Sequence, residues 1–374
     1  MKLGRPLTDL ASELERQANA KRDYLTPSET LTVHSNGRTE LVAIGEPYHV
    51  ADVAHGQIAD YLDIPRGFYE SLRGNAETIT VPAESGIGFQ GQDQPLFDVM
   101  VNSLFHSKGE QRRLVRTLDG RVRAFLSDAY NLDLDNFDVF RMAALAIEEA
   151  GLGPDNVVSA EVTERKLYIK VVSPRMEAVV TPEVGMLKEP QVVQAGFVLS
   201  NSETGLGSLR VSQMIYKLVC MNGWIREESY RQRHIGKTLE AEENGNVYRS
   251  DTRLADARAR LLKVRDHVSA ALDEGAFHDL VARIQWSASV RLESPADKVV
   301  EAASKKFALS QSEKDNVLSE LIAGADLSLW GLSNAITAAA QTVASYDRAT
   351  ELEAIGGRMF SLSAPEVREI VQAN

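Results

Sequence analysis

Leu7, Leu10, Leu14 and Ala18 recur three and four residues apart among charged positions, which predicts a helix over 7–22. The period then drops to two. Thr30–Val33 and Glu40–Ala43 flank Asn36-Gly37, a pair suited to a tight hairpin turn. Residues 50–72 read as two short helices parted near Ile64-Pro65, with Pro65 suited to the first turn of the second. A helix over 95–106 leads to a second hairpin, 112–117 and 121–126, turned by Asp119-Gly120. Phe140, Ala144 and Ile147 stripe a helix over 136–150, and Gly151 is placed to stop it. A third hairpin spans 157–172. One long pair of strand-like segments follows over 192–226, interrupted at Gly205 and Gly207.

Past residue 250 the strand signals end. Leu254, Ala257, Leu261, Val264, Val268 and Ala271 keep helical spacing over 252–272, and further helices are expected at 295–306, 311–323, 327–344, 346–356 and 364–372. The expected fold class is therefore α+β: an antiparallel, hairpin-rich sheet core with packed helices, then an all-helical C-terminal part. The expected division is an N-terminal helix at 1–28, an α+β core at 29–248 and a helical domain at 249–374.

Composition narrows the setting. Apolar residues make up 44% of the 374, enough to bury a core, so wholesale disorder is excluded. No apolar run approaches the roughly 20 residues that span a bilayer, and the N-terminus lacks a signal-peptide core. Cys220 is the sole cysteine, which rules out an intramolecular disulfide and fits a reducing compartment. A cytoplasmic protein without membrane contact is expected. The formal net charge of −12 disfavours indiscriminate attraction to nucleic acid.

Most chemical motifs fail on inspection. Gly86-Ile87-Gly88-Phe89-Gln90-Gly91 lacks the following helix of a dinucleotide fingerprint. The seven histidines (His34, His49, His55, His106, His234, His267, His278) offer no metal-ligand spacing. No cofactor and no metal is expected. Asp128, Asp133, Asp135 and Asp138 could hold divalent cations in a nuclease, but Asp135 or Asn136 as a helix cap explains them more simply. Cys220 lies in an apolar run and reads as buried rather than nucleophilic. Gln57 to Leu72 has helix-turn-helix spacing, yet only Arg66 and Arg73 to offer DNA.

The remaining signal is basic. Arg112, Arg113, Arg116, Arg121 and Arg123 crowd the second hairpin, and Arg121 and Arg123 alternate onto one strand face. Arg226, Tyr230, Arg231, Arg233, His234 and Lys237 form a second cluster. Arginines beside aromatics suit a phosphate backbone with stacked bases. The competing reading is that neighbouring carboxylates neutralise these charges. The polar run Asn201-Ser202-Glu203-Thr204 reads as a loop bonding its own backbone, or as a rim beside the basic face.

Three segments carry a family resemblance: Arg123–Tyr130 leading to Leu134-Asp135-Asn136; Leu199–Leu209 continuing to Leu218–Gly223; and Asn334–Thr337 with Ser345–Leu352 and Gly356-Gly357. Together they resemble the uncharacterised phage/plasmid-like proteins grouped as domain of unknown function 932. The resemblance implies a mobile-element origin and brings no catalytic residue. The expected function is a non-enzymatic accessory protein that binds or anneals single-stranded DNA. The alternative is an interaction or structural protein acting on host or phage proteins, with a metal-dependent nuclease third. A homo-oligomer is also expected, with helix 252–272 in its seam.

Overall fold

The computed structural model describes residues 1–35, 39–75, 77–80, 93–130, 134–181, 190–218, 221–232 and 250–373; at 227–230, 232, 250, 253, 254, 256, 257 and 261 only the backbone is described. The expected Asn36-Gly37 turn, the 86–91 glycines, Asp133, Cys220, Arg233, His234 and Lys237 lie outside the described residues, as does the side chain of Tyr230.

Helix α1 (Leu7–Ala20) opens the chain. There follow β1 (Arg22–Pro27), β2 (Thr32–His34), β3 (Glu40–Ala43), β4 (Glu46–Val50), α2 (Asp52–Tyr61), α3 (Arg66–Arg73), the short pair β5 (Thr78–Thr80) and β6 (Asp93–Pro95), α4 (Leu96–Ser107), β7 (Arg112–Leu118) and β8 (Arg121–Ser127). Asp119 and Gly120 both take positive φ, 52° and 73°, the geometry of the expected two-residue hairpin turn. Six strands form one sheet in the order β1-β7-β8-β4-β3-β2. The sheet is not purely antiparallel as expected, because β4 pairs parallel with β8 through His49–Arg121 and Val50–Val122. A parallel pair needs a long crossover, and the intervening helices supply it. Pro65 sits one position earlier than expected, as the N-cap of α3.

Helices α2, α3 and α4 cover this sheet. Ala54, Ile58, Tyr69, Phe97, Val101 and Phe105 join Val33, Leu41, Val115, Val122 and Phe125 in one apolar cluster. The two helices with helix-turn-helix spacing thus spend their buried faces on the sheet. Arg66 and Arg73 both pair with Glu70, at 2.7 and 2.6 Å.

After α5 (Asn136–Glu149), a second sheet forms from β9 (Val157–Val162), β10 (Leu167–Val180), β11 (Gln191–Asn201), β12 (Leu209–Lys217) and β13 (Asn222–Gln232). The order β13-β12-β11-β10-β9 is a simple antiparallel meander. Where one strand pair was expected over 192–226, there are three strands. The second turn falls inside the apolar run Leu218–Met221, where hydropathy gives no sign of it; Met221 takes φ 50°. Leu167, Ile169, Phe197, Leu199, Leu209 and Val211 point to one face and meet Leu10, Leu14, Val139 and Ala143.

The last third is helical, as expected: α6 (Ser250–Ala271), α7 (Glu274–Ser289), α8 (Ala296–Phe307), α9 (Gln311–Gly324), α10 (Leu329–Ala339), α11 (Tyr346–Arg358) and α12 (Ala364–Val371). The fold class is thus α+β. Helix α7 was missed by sequence reading, although Phe277, Leu280, Ile284 and Ala288 bury one face and Asp273 caps it by accepting from the Ala276 N–H at 2.8 Å. The texture change at 250 is not a change of core. Val180, Val193, Ala195, Ile215 and Trp224 of the second sheet share a single apolar cluster with α7 to α12. Trp224 stacks on Trp330 at 4.6 Å and donates Nε1–H to Ser333 Oγ. A Cβ on Gly357 would lie 2.2 Å from Ile225 O, so this glycine lets α11 rest flush on β13. Val264, Val268 and Ala271 of the α6 stripe pack within the chain, with Val139, Ala143 and the second sheet. Among the described residues no helix is long and apolar enough to cross a membrane.

His55 is enclosed in the first core, 1% exposed, with Nδ1 at 2.9 Å from Tyr69 Oη. Burial, then the charges of Arg73 and Arg66, push its pKa from 6.5 down to about 3. The unfolded chain therefore binds a proton that the native state refuses, so stability is present above pH 6.5 and lost as pH falls toward 3. Between pH 6 and pH 5 the wild type should lose up to about 1.4 kcal/mol more than His55→Gln. Denaturant unfolding of both proteins at the two pH values reads the difference; parallel losses would show that His55 does not titrate against folding.

Candidate anion-binding cleft at the seam of the two sheets

The seam is held by charge. Arg116 on β7 is completely buried. Its Nε and Nη2 donate to the two oxygens of Asp23 on β1, each at 2.8 Å. Its Nη1 donates to Asp135 Oδ1 and to the Glu203 carbonyl, both at 3.0 Å. Arg123 on β8 donates to Gln17 Oε1 on α1 at 3.0 Å and to Glu203 Oε2 at 3.3 Å. Lys21 pairs with Asp135 and, at 3.7 Å, with Glu203. Three cations (Lys21, Arg116, Arg123) meet three anions (Asp23, Asp135, Glu203), so the buried cluster is formally neutral. Burial works against the Arg116 charge, but the Asp23 hydrogen bonds and the fields of Asp135, Asp23 and Glu203 outweigh it and hold its pKa above the ordinary value. Burial prevails at Arg123 and lowers its pKa.

This corrects the expected basic face. Arg116 and Arg123 are not presented to solvent, because each carries its own carboxylates into the fold. Arg121 is half-exposed and pairs with Glu164 at 3.1 Å. Arg112 and Arg226 are half-buried on β7 and β13. The carboxylates resolve similarly. Asp135 occupies the N-cap position of α5 without capping it. Glu203 takes that role from the β11–β12 loop, accepting from the Asn136 N–H at 2.6 Å. Asp138 has a pKa raised by burial and then by Asp135. Among the described residues no group of three His, Cys, Asp or Glu could hold a metal ion.

The loop 201–208 does more than bond itself. Ser202 Oγ does accept from the Leu206 N–H at 3.1 Å. However, Tyr130 donates to Ser202 O at 2.7 Å, and Gln57 Nε2 to Thr204 O at 2.6 Å. The first sheet thereby grips the loop of the second. Gly205, at φ 73°, sits where a Cβ would lie 2.7 Å from Leu126 Cδ2.

On the open side of this loop lies a cleft of about 790 Å³. Arg113, Lys166, Arg210 and Arg231 line it, against one carboxylate, Asp60. None of the four makes an ion pair with a described carboxylate. Register places Arg210 directly opposite Arg231 on β13 and Ser200 on β11. Like charges facing each other across strands are destabilising, and no described carboxylate pairs with either. Arg231 Nε donates to Ser208 Oγ at 2.9 Å, which aims the guanidinium at the loop. Arg113 lies over the Tyr61 ring at 4.5 Å and the Phe125 ring at 5.1 Å, and its Nε is buried without a hydrogen bond. Burial lowers the Arg113 pKa, opposed by Tyr61 and Asp128. Burial likewise lowers Lys166, opposed by Asp347 and Glu351. Two of these cations, Arg113 and Arg231, belong to the basic clusters seen in the sequence. Lys166 and Arg210 do not: Lys166 has only Arg165 beside it, after Glu164, and Arg210 stands alone. Arg210 follows the Gly205–Leu209 segment on alternating strand sequence, and only its register with Arg231 marks it.

Paired and unpaired cations should respond differently to substitution. Arg116→Met or Glu203→Ala, each stranding buried charge, should cost about 3–5 kcal/mol. Arg121→Ala, on an exposed pair, should cost about 0–1 kcal/mol. Urea unfolding of the three variants compares them, and equal costs would contradict the division. No family model matches this chain, and neither the curated proteins nor the solved structures searched contain a match.

Proposed function

We propose that the chain binds single-stranded nucleic acid through the seam cleft and works without catalysis. The observation that carries this reading is the convergence of Arg113, Lys166, Arg210 and Arg231, none of them ion-paired to a described carboxylate, on one cleft of an otherwise acidic protein. Elsewhere in the seam, arginines are matched to carboxylates residue by residue. Leaving Arg210 and Arg231 face to face costs stability, and an anionic ligand is what repays it. The surrounding negative charge confines attraction to this window. Arg113, over the Tyr61 and Phe125 rings, adds a stacking surface that any base can use. The segment Leu199–Leu209, which supplies Ser200 and the loop glycines, is also part of the resemblance to phage/plasmid-like proteins. That supports a mobile-element setting.

Three phosphate contacts, from Lys166, Arg210 and Arg231, predict a slope of log K against log salt of about −2 for a single strand, roughly −0.7 for each contact. Arg210→Glu and Arg231→Glu should each weaken binding at least about tenfold in low salt, near 1.4 kcal/mol, with no loss of melting temperature because no ion pair is broken. Fluorescence anisotropy with a labelled oligonucleotide over a salt series measures both. Absence of binding at micromolar protein in low salt, or full binding by the double variant, would refute the proposal.

A further inference from the structure

The cleft's boundaries say more about its ligand than its charge alone does. At Gln57, Asp60 and Leu206 it adjoins a second hollow of about 660 Å³. That hollow has the opposite character: Asp52, Asp60, Glu164 and Asp347 line it against Arg66 and Arg165. A polyanion leaving the cleft in that direction meets carboxylates. A continuous single strand needs an electropositive path about 4–16 nucleotides long. The cleft's 790 Å³ instead falls in the range of compact ligand sites, roughly 300–1,000 Å³.

Charge count points the same way. A phosphodiester brings one negative charge, whereas a terminal phosphate monoester brings about −1.5 to −2 at neutral pH and three acceptor oxygens. Arg210 and Arg231, adjacent across β12 and β13, present guanidinium donors from neighbouring strands, and Lys166 adds a half-buried ammonium beside the glycine loop; a Cβ on Gly207 would lie 3.1 Å from Lys166 Cε. Donors from three directions suit an end group that exposes three oxygens better than a backbone link that exposes two. Arg113, beside Tyr61 and Phe125 in the same cleft, is placed for the attached nucleoside.

We infer that the cleft's specific ligand is a nucleoside phosphate monoester, presented by the end of a nucleic-acid strand or by a free mononucleotide. This rests on the cleft being the nucleic-acid site. The experiment uses the full chain and internally labelled oligonucleotides of one sequence: 5′-phosphorylated, 3′-phosphorylated, hydroxyl at both ends, and closed into a circle. One phosphorylated form should bind at least about tenfold tighter than the hydroxyl-ended form, with the circle no better than the latter. Arg231→Gln, at an exposed position, should abolish the preference while the melting temperature holds; Lys166→Gln serves the same purpose should Arg231→Gln fail to fold. Displacement by a nucleoside 5′- or 3′-monophosphate, matching the preferred end, supports the monoester assignment and identifies the free nucleotide as a source. Monophosphate binding without oligonucleotide binding keeps the assignment and discards the nucleic-acid reading. Equal binding of all four forms, lost in Arg231→Gln, overturns the monoester inference and leaves the nucleic-acid reading standing. No binding of any probe overturns both.

Discussion

A completely buried guanidinium must find its counter-charges inside the protein, and the arrangement of the first half of this chain follows from where Arg116 finds them. Asp23 lies on the neighbouring strand, Asp135 at the start of α5, and the Glu203 carbonyl in a loop of the other sheet. Desolvating such a group costs several kcal/mol unless geometry and hydrogen bonds compensate. Compensation here requires β1, β7, α5 and the β11–β12 loop to be in place together. Arg123 and Lys21 extend the same demand to α1. The two sheets have separate apolar cores, so non-directional burial alone does not fix how they meet. The ion cluster supplies the direction.

That division explains why the sequence was legible in some places and opaque in others. Hairpins announced themselves where turn chemistry was local, as at Asp119-Gly120. The α+β class followed from the shift of period near residue 250. The shared core of the second sheet and the late helices did not follow, because Trp224 and Trp330 are far apart in the chain and only their stacking joins them. Strand β13 was merged with its neighbour because its turn sits in apolar sequence. The basic hairpin gave the right residue type at the right seam but could not separate its members. Arg113 and Arg116 are three positions apart on one strand, so alternation sets them on opposite faces, but it does not reveal which face meets Asp23 and which lines the cleft.

The two kinds of cation are neighbours for a physical reason. Where two sheets meet without a shared apolar core, the charged side chains that face each other must be matched or solvated. The interior half is matched, three charges against three. The outer half is left basic. Among the described residues, Arg231 is held by the Ser208 hydroxyl and Arg113 by the Tyr61 and Phe125 rings, groups that carry no negative charge.

The loop 201–208 belongs to both halves. Glu203 turns inward to Arg123 and the Asn136 amide, while Gly205, Gly207 and Ser208 form a wall of the cleft. Its backbone is also fixed from the first sheet by Tyr130 and Gln57. A ligand held by Arg210, Arg231 and Lys166, as proposed, would rest against a wall whose position is set by the buried ion cluster. Preorganisation of that kind lowers the ordering cost of binding. It also gives the polar run Asn201–Thr204 a reason to be rich in carboxylate, hydroxyl and amide groups beside an otherwise apolar sheet: those side chains bond to Asn136, Arg165 and Arg123 and so hold the wall in place.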